Sequence, residues 1–143
     1  MSHNRDEQGN ALVEFVFLGM LLMVPLVYVL LTVFQVQSAA FGVTEAARQA
    51  GRAFAVSATA DQGRASAAIA AQLAMADQGI SGSGPPEIAC PAGCLTPGST
   101  VTVTMRYRVP LLFLGAMFSQ TTAPSIPVTA VHTQVVDTFQ AAP

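Results

Sequence analysis

The chain has 143 residues, about one domain's worth, with six arginines, no lysine and eight acidic residues, for a formal net charge of -2. Only 10% of residues are charged and 52% are apolar, with a mean hydropathy of +0.51, where soluble globular chains carry roughly 25% charge. This balance excludes a nucleic-acid binder, which needs a basic face to displace counterions. It also excludes disorder of the whole chain, and it argues against an ordinary cytosolic domain. A membrane-anchored protein, or one that buries its surface in a polymer, fits.

The apolar residues are concentrated near the N-terminus. From Phe15 to Phe34 there are 20 residues without a charge, and the next charge after Glu14 is Glu45. Twenty residues at 1.5 Å rise make about 30 Å of helix, the thickness of the hydrocarbon layer. Residues 10–35 therefore read as a transmembrane helix, and lipid-embedded helices tolerate a proline such as Pro25. A buried core helix is a poor fit because the stretch is apolar on every side. A cleavable secretory signal with a cut near Ser38-Ala39-Ala40 is the other rival. Its apolar region is too long and its leading segment lacks the expected basic charge. Arg5 before the span and Arg48 and Arg52 after it lean, taken alone, toward a cytoplasmic C-terminal side.

Glu14 stands at the mouth of this span. A carboxylate entering hydrocarbon costs about 2.5–3.5 kcal/mol at mid-membrane and less near the interface. It reads either as an interfacial Glu reaching headgroup water or as a paired, functional group. Its spacing from Gly9 bears on the choice. Gly followed by four residues and Glu, just ahead of an apolar helix, resembles the prepilin peptidase site of type IV pilin-like proteins. A cut between Gly9 and Asn10 would create an α-ammonium on Asn10. Positions i and i+4 share a helix face, so Glu14 can answer such an ammonium, its own or a neighbour's.

The run Glu7-Gln8-Gly9-Asn10-Ala11-Leu12-Val13-Glu14-Phe15, followed by the span and by Glu45-Ala46-Ala47-Arg48-Gln49-Ala50-Gly51-Arg52, resembles the TadE-like family. These are small pseudopilins of the tight-adherence (Flp) pilus system. The likeness is specific over residues 7–56. Beyond Ser57 it rests on the strand pattern and on Ala130-Val131-His132 through Val135-Val136-Asp137. The short leader departs from the family's basic pattern, with Arg5 beside Asp6 and Glu7. The resemblance implies a structural pseudopilin or minor pilin that takes part in pilus assembly. Residues 1–9 would be its prepilin-type leader and residues 36–143 an extracytoplasmic pilin-like domain. Its implied partners are the prepilin peptidase, other pilin or pseudopilin subunits with the assembly machinery, and membrane lipid. Glu14 would meet the processed N-terminus of a neighbouring subunit. The alternative is an uncleaved, single-pass membrane-anchored binding protein of the cell envelope.

Past the membrane the helix is expected to continue. Val36, Ala40, Val43, Ala47, Ala50 and Phe54 recur at spacings of three and four and fall on one stripe. Glu45, Arg48 and Arg52 take the opposite face, with Glu45 and Arg48 spaced for an ion pair. Alanines with Gly42 and Gly51 nearby let a neighbour approach closely, either the protein's own outer domain or another subunit. A second helix, capped by Thr59 or Asp61, runs to about Asp77 with Gly79 as its stop. Ile69, Leu73 and Ala76 give it a thin apolar face. Residues 79–98 have loop composition. From Thr100 to Val109, Val101, Val103, Met105, Tyr107 and Val109 alternate with Thr102, Thr104, Arg106 and Arg108, the pattern of a half-buried antiparallel strand. Ile126 to about Thr138 supplies its partner. Leu111 to Phe118 is too short to span a bilayer and reads as core or as membrane-adjacent packing. The fold class is α+β: a long N-terminal membrane helix continuing into an amphipathic one, a second helix, then a small antiparallel hairpin or sheet.

Cys90 and Cys94 lie in a Gly/Pro-rich loop. In an exported domain such a pair points to a small-loop disulfide, with free thiols as the alternative. That reading places the outer domain outside the cytoplasm, against the lean of Arg48 and Arg52. Structural zinc needs four ligands and a redox pair has two intervening residues, so neither pattern matches. No catalytic motif stands out and no enzyme activity, cofactor or metal is expected. Ser66, Ser99 and Ser119 lack a nucleophile motif. His132 and Asp137 lie five apart on one expected strand and so on opposite faces. The glycine run from Gly79 to Gly84 lacks the lysine and setting of a phosphate loop.

Overall fold

A computed structural model describes residues 4–111 and 124–138, with side chains from residue 11 onward. The order is α1 (Asn4–Ala55), α2 (Ala60–Asp77), β1 (Glu87–Ala89), β2 (Thr100–Pro110) and β3 (Ser125–Val135). The chain divides into two compact units, Met1–Phe34 and Gln35–Pro143.

In the first unit, residues 11–27 are exposed on every side of α1. Phe15 is 76% exposed and Leu22 70%. This speaks against the core-helix reading, since nothing among the described residues covers the apolar surface. α1 is long and apolar enough to cross a membrane. The hydroxyl of Thr32 donates to the carbonyl of Tyr28 at 2.9 Å, which satisfies a polar group that hydrocarbon could not.

In the second unit, the rest of α1 packs by its alanine stripe. Val43, Ala47, Ala50 and Phe54 are buried, joined by Ala39 and Ala46, while Val36 and Ala40 are half-buried. The stripe therefore closes on the protein's own domain: its buried members from Val43 to Phe54 share one core with α2 and the sheet. Glu45 and Arg48 do not form the expected ion pair. Glu45 instead accepts a hydrogen bond from Nε2 of Gln49, one turn on.

Helix α2 starts and stops where its sequence dictates. Thr59, not Asp61, is the N-cap, with extended φ/ψ and a side chain that accepts from the Gln62 amide. Asp61 pairs instead with Arg64 at 3.0 Å. At the far end the Gly79 amide donates to Ala76 O (2.8 Å) and the Ile80 amide to Met75 O (3.0 Å). With Gly79 at φ 70° this is a Schellman stop, and it swings Ile80 onto the core. The buried face was misread from sequence. Ile69 and Leu73 are 68% and 64% exposed, and Ala76 is exposed too. Gly63, Ala67, Ala71, Ala74 and Met75 turn inward. The gap under α2 is narrow. At Gly63 even a Cβ would come within 2.8 Å of the Phe54 ring, so small residues face in there while Ile69 and Leu73 face out, and bulk is buried only at Met75, near the end of the helix.

Among the described residues the sheet is three-stranded and antiparallel in the order β1-β2-β3. β2 alternates as its sequence requires, with Val101, Val103, Met105 and Val109 buried and Arg106 and Arg108 exposed. β3 pairs with it from Pro110↔Ser125 to Thr100↔Val135, close to the expected Ile126–Thr138. β1 lies within residues 79–98, where the composition predicts only loop. It pairs Glu87↔Thr104 through Ala89↔Thr102, and Glu87 forms an ion pair with Arg106 across the ladder. Of the apolar run from Leu111 to Phe118, only Leu111 falls within the described residues. Its amide donates to Pro124 O at 2.9 Å.

Candidate functional site

The first candidate site is linear. Gly9, Asn10 and Glu14 all lie on α1, Glu14 with an exposed side chain. Asn10 and Glu14 stand i, i+4 on one face. The next thirteen residues, from Phe15 to Val27, are uncharged and exposed. The arrangement puts one carboxylate at the start of an apolar surface and a small glycine five residues ahead of it. A glycine lets an enzyme approach the backbone closely.

The second is the disulfide. Cys90 and Cys94 are bonded, with Cα atoms 5.2 Å apart, inside the usual range. The loop they close is built by unusual backbone. Gly93 has φ 94° and Leu95 φ 60°, a conformation that costs a non-glycine residue roughly 1–2 kcal/mol. Leu95 tolerates it because its side chain is 5% exposed and joins the core. The bridge thus pins the turn that seats Leu95.

His132 and Asp137 do not come together as a catalytic pair. β3 ends at Val135, before Asp137. His132 is half-buried and turned toward α1, where a Cβ on Gly51 would meet its Cδ2 at 3.3 Å. What sequence reasoning missed lies here. Two open clefts flank β3. One of about 280 Å³ is lined by Glu45, Arg48, Gln49, Arg52, His132 and Gln134. The other, of about 570 Å³, shares Gln49, Arg52 and Gln134 and continues past Ala53, Val56, Ala70 and Asp137. The sequence places Arg48 and Arg52 on one helix face. Only tertiary packing sets that face beside residues 80 positions later, so no local signal announced it.

No protein-family model, curated protein or solved structure matches this chain.

Proposed function

We propose that the protein is a structural pseudopilin or minor pilin of a tight-adherence (Flp-type) pilus, anchored by residues 10–35 and cut by a prepilin peptidase between Gly9 and Asn10. One observation carries this reading: Gly9, Asn10 and Glu14 fall on a single helix at the entrance of an uncharged, exposed apolar surface. An anchor alone needs no carboxylate there. Burying one in lipid is costly, and an α-ammonium on the matching face of a neighbouring subunit would offset that cost.

Three further observations support it. The disulfide suits an oxidising compartment, which favours placing residues 36–143 outside the cytoplasm. A secretory-signal cut near Ser38-Ala39-Ala40 would fall beside Ala39, which is 2% exposed within the second unit, so it fits less well than a cut ahead of the exposed span. The outer unit is held by its own core, so it can be carried as a finished module on its helix. Replacing Gly9 with a bulky residue tests the cut: the uncut form should accumulate in the membrane of peptidase-competent cells. Normal processing of that variant refutes the site.

A further inference from the structure

We infer that the free edge of β3 is a docking site for an extended, acidic segment of another protein, which adds to the sheet as a fourth strand. The inference is independent of whether residues 1–9 are removed.

β3 is the long edge of the sheet. Among the described residues no strand pairs with its outer side. Two hydrogen bonds fix which backbone groups face outward. The amide of Leu111 donates to Pro124 O, and that of Val136 to Ser99 O. Bonding and non-bonding pairs alternate along an antiparallel ladder, so the even-numbered residues of β3 bond to β2. Thr129, Val131, Thr133 and Val135 then turn their N–H and C=O outward, and of these the Val135 carbonyl already accepts from Nε2 of Gln134 at 3.2 Å. Pro127 falls in the same outward phase opposite Arg108, so its missing N–H costs β2 nothing and closes the edge at that end. The open stretch is residues 129–135. Edges are commonly blunted by charge, and β3 carries no Lys, Arg, Asp or Glu.

The occupant follows from what overhangs this edge. α1 runs along the sheet in the direction of β3. Ala39 lies near Val109, whose partner on β3 is Ile126, and Gly51 lies over His132 and Gln134. Its exposed Arg48 and Arg52 stand over the edge cleft, between Glu45 at one end and Asp137 at the other. The two arginines are one helical turn apart, about 6 Å along the axis. Same-face residues of a strand are two apart, about 6.6 Å. An added strand with carboxylates at positions i and i+2 therefore presents one to each guanidinium. Apolar residues flanking that pair would meet Ala53 and Val56. A second copy of this chain fits poorly, because pairing β3 with itself brings another Arg48 and Arg52 toward the first pair.

The test uses the full chain in detergent micelles and a fluorescein-labelled peptide, Thr-Val-Thr-Glu-Thr-Glu-Thr-Val-Thr, followed by fluorescence anisotropy. Hydrogen exchange at Thr129, Val131, Thr133 and Val135 is read in parallel. The peptide should bind and protect these amides, and its Lys-for-Glu counterpart should bind about tenfold or more weakly. Val131→Pro removes an outward N–H while keeping the bonds to β2, and should abolish binding. Arg48→Glu with Arg52→Glu should reverse the preference between the two peptides. Equal binding of both peptides, or unchanged binding in V131P, overturns the proposal. So does sedimentation showing a dimer that V131P dissolves, since the edge would then belong to a second copy.

Discussion

Gly63 faces Phe54 across the α1–α2 contact, and that contact decides what the position accepts. Helix propensity alone favours Gly63→Ala by about 1 kcal/mol. The new Cβ would stand 2.8 Å and 3.0 Å from ring atoms of a fully buried Phe54, and overpacking costs about 1–3 kcal/mol. The clash wins, so urea unfolding should show G63A less stable than wild type. Gly84→Ala, with open space around it, should change stability by no more than about 0.5 kcal/mol. Glu14 is the other decisive residue. Glu14→Gln keeps size and hydrogen bonding and removes the charge. If Glu14 pairs with a neighbour's N-terminus, the variant should insert and be cut yet lose co-purification with pilus components. Leaving one buried partner unpaired costs about 3–5 kcal/mol. Wild-type co-purification in E14Q would reduce Glu14 to an interfacial side chain.

Helix α1 was legible because its buried stripe contains large members, Val43 and Phe54, set against charged Glu45, Arg48 and Arg52. α2 was not, because its inward face is alanine and glycine except for Met75 at its C-terminal end. Apolar bulk marks a buried face only when the space beneath has room for it, and the gap beside Phe54 has none. The consequence is testable. Ile69→Gln and Leu73→Gln should each move stability by about 0.5 kcal/mol or less, whereas Ala71→Leu should cost about 1–3 kcal/mol. β2 and β3 were readable from alternation. β1 was hidden because three residues are too few to alternate, and Glu87 meets Arg106 only once the fold is formed. The disulfide closes a very short loop and should contribute only about 1–2 kcal/mol. Cys90→Ser should raise hydrogen exchange around Leu95 more than in β2.

At the scale of the molecule the architecture is a long apolar helix and a small α+β unit with its own core. The proposed leader motif is legible in the sequence because it is local. The cleft beside β3 is not, because only the fold brings Arg48 and Arg52 to the same cleft as His132 and Gln134. The orientation brings two sequence signals into opposition. Arg48 and Arg52 lean toward a cytoplasmic second unit, while the Cys90–Cys94 bridge favours an oxidising side. A periplasm-active reporter fused after Pro143 should be active, and activity of a cytoplasm-only reporter there would reverse the topology. The central claim is the cut itself. Intact-mass analysis of the chain purified from peptidase-competent membranes should give a mature protein beginning at Asn10. A mass that retains Met1 or Ser2 would contradict the pseudopilin account and leave an uncleaved envelope anchor in its place.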